Sequence, residues 1–348
     1  MFPYFLGGDI YMNYYPSYAA WEMTLKCNMN CMHCGSKAGP KRKHELSLDK
    51  CMDIAEQLIA LNLENMTLIG GEIFFKKGWE KIAKKFVDAK VYTNIITNGY
   101  HINSEHYEQI KQSGIRRIGI SMDGMEEAHN KIRGKKDGFS EVVKSFKKLK
   151  SMGYSTEAIT TISKLNIKDL EEMYKLLISL GVDVWQMQLC SPMGNAKGQE
   201  NFLIKPSDVS YITNFIKEKN KENKILLVGG DNIGYYDKNE KYMRGEPNTE
   251  FPGCQAGLYV IGIDSVGNVK GCLSLYDDKF IEGNLQNESL KEIWTKPGAF
   301  SYNRDFKMSD LKGKCKDCDK GNMCRGGCKQ LSYFTTGNMC ESMYCNYR

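Results

Sequence analysis

The residues with the clearest chemistry are three cysteines near the start of the chain, spaced Cys27-x3-Cys31-x2-Cys34. The sequence has no signal-peptide pattern, and in a reducing cytosol clustered thiols bind metal more often than they form disulfides. Three thiolates are one fewer than a tetrahedral or iron–sulfur site normally takes. The spacing therefore predicts a metal centre with one position open to a substrate or cofactor.

A structural zinc site is the main alternative for these cysteines. Such a site is normally closed by a fourth Cys or His, and His33 is the nearby candidate. His33 directly precedes Cys34, however, and neighbouring residues rarely point at one metal. An iron–sulfur cluster with one open iron is therefore the favoured interpretation.

A second set of cysteines lies in 252–348, which contains eight of the thirteen in the chain. This segment is rich in glycine and has one expected helix, around Ser289–Lys296, so it is expected to fold around metal. Zinc ribbons also use Cys-x2-Cys, which leaves a zinc-dependent binding module as the alternative. The eight are Cys254, Cys272, Cys315, Cys318, Cys324, Cys328, Cys340 and Cys345.

The elements that must position the first cysteines alternate between strand and helix character. Runs rich in β-branched or aromatic residues predict strands at Ala20–Lys26, Asn65–Ile69, Val91–Thr97, Arg117–Ser121, Thr156–Ile162 and Val182–Leu189. Amphipathic stretches predict helices at Ser47–Leu63, Gly78–Ala89, Ser104–Ser113, Gly138–Met152, Ile167–Leu180 and Ser207–Asn223. The alternation predicts an α/β fold, a partial (β/α)6 barrel of the TIM type with its active site at the carboxyl ends of the strands.

Composition and patterning divide the chain into four parts. We expect an N-terminal extension at 1–19, the partial barrel at 20–225, a linker or lid at 226–251 and the cysteine-rich domain at 252–348. The net charge of +6 is modest and the lysines are spread along the chain, so no nucleic-acid partner is expected. No apolar run approaches the ~20 residues of a membrane span, which predicts a soluble, cytoplasmic protein.

The segment CNMNCMHC, with its x3-x2 spacing and a ring residue before the third cysteine, resembles the cluster motif of the radical S-adenosylmethionine (SAM) superfamily. The resemblance covers roughly Ala20 to Lys224. It implies a 4Fe-4S cluster on Cys27, Cys31 and Cys34, with SAM bound to the open iron. It also implies reductive cleavage of SAM to a 5′-deoxyadenosyl radical.

Further motifs similar to those of this superfamily follow at the ends of later strands. GGE comes after the second strand and resembles the motif that holds the SAM amino group, where glycine permits close backbone approach. TNG closes the third strand, SMDG resembles the ribose-contacting end of the fourth, and the arginine of HNKIRG matches one that pairs with the SAM carboxylate in related enzymes. The SAM-site residues so implied are Gly70, Gly71, Glu72, Asn98, Ser121, Asp123 and Arg133.

The C-terminal cysteines resemble the SPASM domain, whose signature combines Gly-x4-Cys, Cys-x2-Cys-x5-Cys-x3-Cys and a distal cysteine. The resemblance implies two auxiliary 4Fe-4S clusters, and so three clusters in the whole chain. Cluster I would be bound by Cys254, Cys272 and Cys328, and cluster II by Cys315, Cys318, Cys324 and Cys345. The fourth position of cluster I is either filled by Cys340 or left open for a substrate thiolate or amide.

The segment HCGSKAGPKRKHELS resembles SPASM enzymes that mature ribosomally made peptides, including those of the mycofactocin type. A precursor peptide is therefore the implied substrate, and a flavodoxin or ferredoxin is the implied reducing partner. Crosslinking, oxidative decarboxylation, excision and epimerisation are all compatible products. Only about 20 residues precede the first strand, so we expect either a separate leader-binding protein or unaided recognition of the peptide.

Formylglycine formation, as in anaerobic sulfatase-maturing enzymes, is the alternative reaction. That family places a catalytic Asp directly after the second SPASM cysteine, whereas this chain has Leu273 there. Asp277 and Asp278 lie nearby but out of register.

Two cysteines belong to neither set. Cys51 falls early in the first predicted helix and is expected to be a small buried apolar residue. Cys190 ends the sixth strand at the barrel mouth, where a thiol could donate a hydrogen atom to a substrate radical, as peptide epimerases require. A role in the buried core is favoured for Cys190 over this catalytic role.

Overall fold

One ten-stranded sheet organises the computed structural model, which describes residues 14–245 and 249–347. Its strands are β1 (Tyr18–Glu22), β2 (Asn65–Ile69), β3 (Tyr92–Thr97), β4 (Arg117–Ser121), β5 (Ser155–Ile162), β6 (Val184–Leu189), β7 (Leu226–Gly229), β8 (Val260–Ile263), β9 (Asn268–Lys270) and β10 (Gly283–Asn284). The helices are α1 (Leu48–Ala60), α2 (Trp79–Asp88), α3 (Ser104–Ser113), α4 (Glu126–Arg133), α5 (Gly138–Ser151), α6 (Leu170–Ser179), α7 (Val209–Glu222), α8 (Leu290–Thr295), α9 (Ser301–Arg304), α10 (Gly321–Cys324) and α11 (Lys329–Thr336).

The strand order is β10-β9-β8-β1-β2-β3-β4-β5-β6-β7. Strands β1 to β7 run parallel, each paired with the next. Trp21 in β1 is opposite Leu68 of β2 on one side and Ile263 of β8 on the other, both in parallel pairing. The C-terminal part of the chain therefore extends the same sheet, and the carboxyl ends of β1 to β7 share one edge.

The two faces of the sheet differ in polarity. Trp21 and Trp185 are fully buried in the main apolar core. On the opposite face the Tyr18 hydroxyl lies 2.7 Å from Thr67 Oγ1, which donates to Asn94 Oδ1 at 2.7 Å. Because side chains alternate between faces along a strand, this polar row lies on the face of the sheet opposite the two tryptophans.

The predicted α/β fold with a parallel, barrel-like sheet is confirmed, and all six predicted strands are present. The expectation of one helix in 252–348 is wrong, because α9, α10 and α11 follow α8 and the short strands β8, β9 and β10 precede it. In the barrel, β7 and α4 were also not predicted. β7 lies in 226–251, which was expected to be a linker or lid; it is four residues long, too short to show a period. α4 is mostly polar, so no apolar stripe marks it. The expected domain boundaries stay predictions.

Within the described part of the chain, none of the helices has both the length and the apolar character that a bilayer span requires.

Candidate functional site

The loop that carries the first three cysteines leaves the carboxyl end of β1 and folds back onto its own start. Cys27 N–H donates to Gly39 O at 2.8 Å, and the Glu45 carboxylate accepts from two backbone N–H groups of the loop. Ala38 N–H donates to Cys34 Sγ at 3.2 Å. A hydrogen bond of this kind favours the thiolate form that a metal requires.

The three thiols lie close enough to affect one another's ionisation. The pKa of Cys27 is raised to about 11, mainly by burial and in smaller part by Glu72 and the neighbouring Cys31 and Cys34 thiols. Within the described residues, no three His, Cys, Asp or Glu side chains converge on a single metal ion. In a 4Fe-4S cluster each cysteine binds a different iron, so the ligands need not converge in this way.

Glu72, the last residue of GGE, is buried beside the cysteine loop. Its carboxylate accepts from Thr97 Oγ1 at 2.7 Å and from Asn98 N–H at 2.8 Å. Burial raises the pKa of Glu72 to about 7, although these hydrogen bonds oppose the rise. The Asn98 side-chain nitrogen lies 3.8 Å from Cys27 Sγ, so Asn98 joins the carboxylate to the predicted cluster ligand.

The two glycines of GGE allow a close approach of two backbone segments. A Cβ at Gly71 would lie 2.4 Å from Leu25 O and 2.5 Å from Lys26 O, and one at Gly70 would lie 2.9 Å from Thr24 O. Gly71 N–H donates to Thr24 O at 2.7 Å. The end of β2 and the start of the cysteine loop therefore form one packed edge that only glycine permits.

Asp123 and Arg133 form a buried ion pair beside the same loop. Arg133 Nε donates to Asp123 Oδ2 at 2.6 Å, and its Nη1 lies 3.7 Å from Cys31 Sγ. His33 Nε2 is also 2.6 Å from Asp123 Oδ2. Burial alone would raise the pKa of Asp123, but Arg133 and His33 outweigh it and hold that pKa well below its usual range.

From the sequence alone, His33 was a candidate zinc ligand. In the structure, its ring instead pairs with the Asp123 carboxylate. His129 of α4 was missed altogether; its Nδ1 accepts from Asp123 N–H at 3.1 Å. Burial lowers the pKa of His129 to about 4. His129 and Arg133 are four residues apart and therefore lie on one face of α4. This spacing would have pointed to both residues if α4 had been predicted from the sequence. Ser121 ends β4 at the same edge of the sheet.

Among the C-terminal cysteines, Cys254, Cys272 and Cys328 come together as a first group. Burial raises the pKa of Cys272 to about 11 and that of Cys328 well above its usual range, and Cys254 adds to both. Backbone N–H groups of Ala256 and Lys329 donate to Cys254, which suits an anionic ligand. These donors fit an iron–sulfur cluster.

The second group brings together Cys315, Cys318, Cys324 and Cys345. The pKa of Cys324 is raised to about 12, mainly by burial and in smaller part by the other three thiols. Ser342 N–H donates to Cys315 Sγ at 3.4 Å. Four neighbouring thiols match the ligand number of a closed 4Fe-4S cluster. The structure thus brings together the thiols of each set, and each set was predicted to bind its own cluster.

Cys340 lies in a different environment from either set. Its Sγ accepts from Lys329 Nζ at 3.2 Å, and Nζ also donates to Arg325 O at 2.8 Å. Cys340 is buried against Leu311 and Cys315. Lys329 is fully buried as well, so the Cys340 thiol is bound to a buried cation.

The last two cysteines are both buried. Cys51 lies inside α1 in the main core, as predicted. Cys190 packs against Ile132, Phe202 and Leu203. Burial raises its pKa to about 12, so the thiol keeps its proton. This apolar packing favours a core role, and hydrogen donation by Cys190 stays a prediction.

Two family models match the chain, and together they cover more than half of it. The radical SAM superfamily matches residues 21–177, and SPASM, an iron-sulfur cluster-binding domain, matches residues 254–319. The AdoMet-dependent heme synthase of Methanosarcina barkeri is 28% identical over 96% of this chain and 97% of its own length. The mycofactocin maturase MftC of Mycolicibacterium smegmatis is 26% identical over 92% of this chain and 80% of its own length.

A solved structure, Streptococcus suis SuiB bound to precursor peptide SuiA, covers 94% of this chain with a TM-score of 0.75 and 14% sequence identity. The alignment spans 74% of the SuiB chain. At this identity the likeness shows the fold alone. Because these two family models match, the chain belongs to the radical SAM superfamily and carries a C-terminal SPASM domain.

Proposed function

We propose that this enzyme cleaves SAM reductively and uses the radical to modify a ribosomally made peptide. The observation that carries the proposal is the pair of opposite charges held against the three-cysteine loop. Glu72 is joined through Asn98 to Cys27, and Arg133 reaches Cys31. An anion and a buried cation complement the amino and carboxylate groups of the methionine part of SAM.

The residues of the chain have separate tasks in this scheme. Cys27, Cys31 and Cys34 would hold a 4Fe-4S cluster, which would supply the electron for SAM cleavage. Glu72 would accept hydrogen bonds from the SAM amino group, Arg133 would donate to its carboxylate, and Ser121 would contact the ribose. Asp123 fixes the guanidinium of Arg133. Because these groups are buried, they exclude water from the radical.

Two auxiliary 4Fe-4S clusters, and so three clusters in total, are part of the proposal. The grouping of the C-terminal thiols into sets of three and four supports that number. Such clusters can accept the electron that an oxidative modification releases from the substrate. A flavodoxin or ferredoxin would reduce the first cluster. Either a separate protein would bind the leader of the peptide or the enzyme would recognise the peptide unaided.

A precursor peptide is supported as substrate by the mycofactocin maturase among the relatives and by the shared fold of SuiB, which was solved with its precursor peptide. Formylglycine formation is less favoured, because Leu273 is buried where sulfatase-maturing enzymes place an Asp. Asp277 accepts from Tyr333 OH at 2.8 Å instead.

The test is anaerobic reconstitution followed by co-expression with a short peptide encoded beside the enzyme gene. We expect iron and sulfide for three clusters, SAM-dependent 5′-deoxyadenosine and a change in peptide mass or stereochemistry. Cys27→Ala should abolish the 5′-deoxyadenosine, whereas Cys51→Ala, a buried cysteine outside the clusters, should not. Bound zinc without SAM cleavage would contradict the proposal and favour a zinc-dependent binding module.

Heme synthesis is a second candidate, favoured by the heme synthase of M. barkeri, which matches this chain over nearly the full length of both. The reconstituted enzyme would then convert an iron tetrapyrrole precursor to heme in the presence of SAM and reductant. Both substrates can be offered in one assay. Absorbance and mass spectrometry then show whether the tetrapyrrole or the peptide has changed, which distinguishes the two reactions.

A further inference from the structure

Three thiols do not complete the four ligands of a 4Fe-4S cluster, and a carboxylate stands beside the group formed by Cys254, Cys272 and Cys328. Asp231 interacts electrostatically with each of these three thiols. It follows β7 at the carboxyl edge of the sheet.

The backbone of Asp231 is tied directly to this group. The buried Tyr235 hydroxyl donates to Asp231 O at 3.1 Å and accepts from Cys328 N–H at 3.1 Å. One hydroxyl therefore bridges the backbone of the carboxylate residue and the backbone of a predicted cluster ligand. The aromatic ring that carries this hydroxyl is fully buried, which fixes the bridge.

The residues around Asp231 are fixed in the same way. Asn232 exchanges two hydrogen bonds with Leu189 at the end of β6, at 3.0 and 2.9 Å. Gly230 N–H donates to Met187 O at 2.6 Å. Between these two anchors the Asp231 side chain is exposed, and residues 14–245 and 249–347 offer its carboxylate no hydrogen bond or ion pair. A carboxylate in this position is available to a metal.

Cys340, the other candidate, is less well placed. Its Sγ already accepts from Lys329 Nζ at 3.2 Å, and it packs against Cys315 of the second group. Lys329 N–H and its ammonium face Cys254. The Cys340 thiol is thus already bound by a buried ammonium that also acts on Cys254.

We propose that Asp231 supplies the fourth ligand of the auxiliary cluster on Cys254, Cys272 and Cys328, through a carboxylate oxygen. The proposal rests on the proposed function, which assigns a 4Fe-4S cluster to these cysteines. A carboxylate is a harder donor than a thiolate, so the iron that it binds differs from the other three. Cys340 is then not a cluster ligand.

The test uses the full chain with the first cluster removed by Cys27→Ala, Cys31→Ala and Cys34→Ala, because the open iron of that cluster would itself bind solvent. This parent is reconstituted, reduced and examined by electron–nuclear double resonance in H₂¹⁷O. We expect no ¹⁷O coupling in the parent and a new coupling when Asp231→Ala is added, since water then takes the open site. Adding Cys340→Ala should leave the spectrum of the parent unchanged.

A second variant, Asp231→Cys, protects the test against misfolding: it should keep the iron content of the parent and show no ¹⁷O coupling. Asp183→Ala, at the amino end of β6, is the matched control and should match the parent. Coupling already present in the parent, coupling that appears with Cys340→Ala, or none with Asp231→Ala would each overturn the proposal. A parent with fewer than about eight irons per chain would instead overturn the auxiliary-cluster assignment, and the ligand proposal with it.

Discussion

Replacing Asp123 by Asn removes one charge from the buried network beside the cysteine loop while keeping its size. Asp123 is fully buried, and its Oδ2 lies 2.6 Å from both Arg133 Nε and His33 Nε2. The charge centres of such a pair are about 4 Å apart, which gives about 4 kcal/mol at an effective dielectric constant of about 20. Breaking a buried pair by removing one partner typically costs about 3–5 kcal/mol, because the remaining charge stays desolvated. We therefore expect Asp123→Asn to destabilise the fold by about that amount.

The control is Asp183→Asn, the same change in a more exposed pair of the same sheet. Asp183 Oδ2 lies 2.9 Å from Lys150 Nζ, with 43% of the Asp183 side chain exposed. A pair of this kind contributes about 0–1 kcal/mol. Unfolding by urea, followed by tryptophan fluorescence under anaerobic conditions, compares the two variants with the wild type.

A second readout separates positioning from stability. If Asp123 holds Arg133 for the SAM carboxylate, Asp123→Asn should also weaken SAM binding to the reconstituted enzyme, and Asp183→Asn should not. Equal losses of stability in the two variants would refute the electrostatic reasoning. Unchanged SAM affinity in a folded Asp123→Asn enzyme would refute the positioning role.

Three further predictions concern neighbouring groups. The ionised Glu72 attracts a SAM ammonium more strongly than its protonated form does, and its pKa is about 7. SAM affinity should therefore fall as the pH drops below 7, by up to about tenfold per pH unit. Glu72→Gln should remove this dependence, and an identical pH profile in the variant would contradict it. Gly71→Ala should disrupt the cysteine loop and lower cluster content, because its Cβ would meet Leu25 O at 2.4 Å, whereas Gly39→Ala has nothing within 4 Å and should behave as wild type. Lys329→Met removes a buried ammonium near Cys254, so the potential of that auxiliary cluster in a redox titration should fall by on the order of 100 mV; no shift would mean that the cation does not act on the cluster.

The sequence supports the fold and the ligand sets to different degrees. The six strands of the barrel were predictable because each is a run of β-branched or aromatic residues between amphipathic helices. The first three cysteines were recognisable because their spacing is local, whereas the grouping of Cys254 and Cys272 with Cys328 was implied only by the resemblance to the SPASM domain. β7 and α4 were not, since LLVG is too short and EEAHNKIR too polar to show a period. The partnership of His33 with Asp123 also escaped, because the two residues are 90 positions apart and meet only in the folded sheet.

The pairing of β8 with β1 is the least predictable feature, and it decides how the two cysteine regions are related. Sequence periodicity gives the type of each strand but not its neighbour, and Trp21 and Ile263 are far apart in the chain. Around this pairing, Arg42 donates to Glu22 and to Ser265 Oγ, and Leu46 N–H donates to Ser265 O at 2.9 Å. The segment that closes the first cysteine loop is therefore fastened to the turn after β8.

This fastening brings a residue of the SPASM region against the first cluster loop. A Cβ at Gly35, next to Cys34, would lie 2.7 Å from the ring of Tyr276, which follows Cys272 by four residues. The barrel and the C-terminal domain thus share one sheet and one packed contact between their cysteine loops. Removing residues after 251 would leave β1 as an unpaired edge and the first loop without its support. A chain shortened in this way should lose the first cluster as well as the auxiliary clusters, and retention of SAM cleavage by the isolated barrel would contradict this structural dependence.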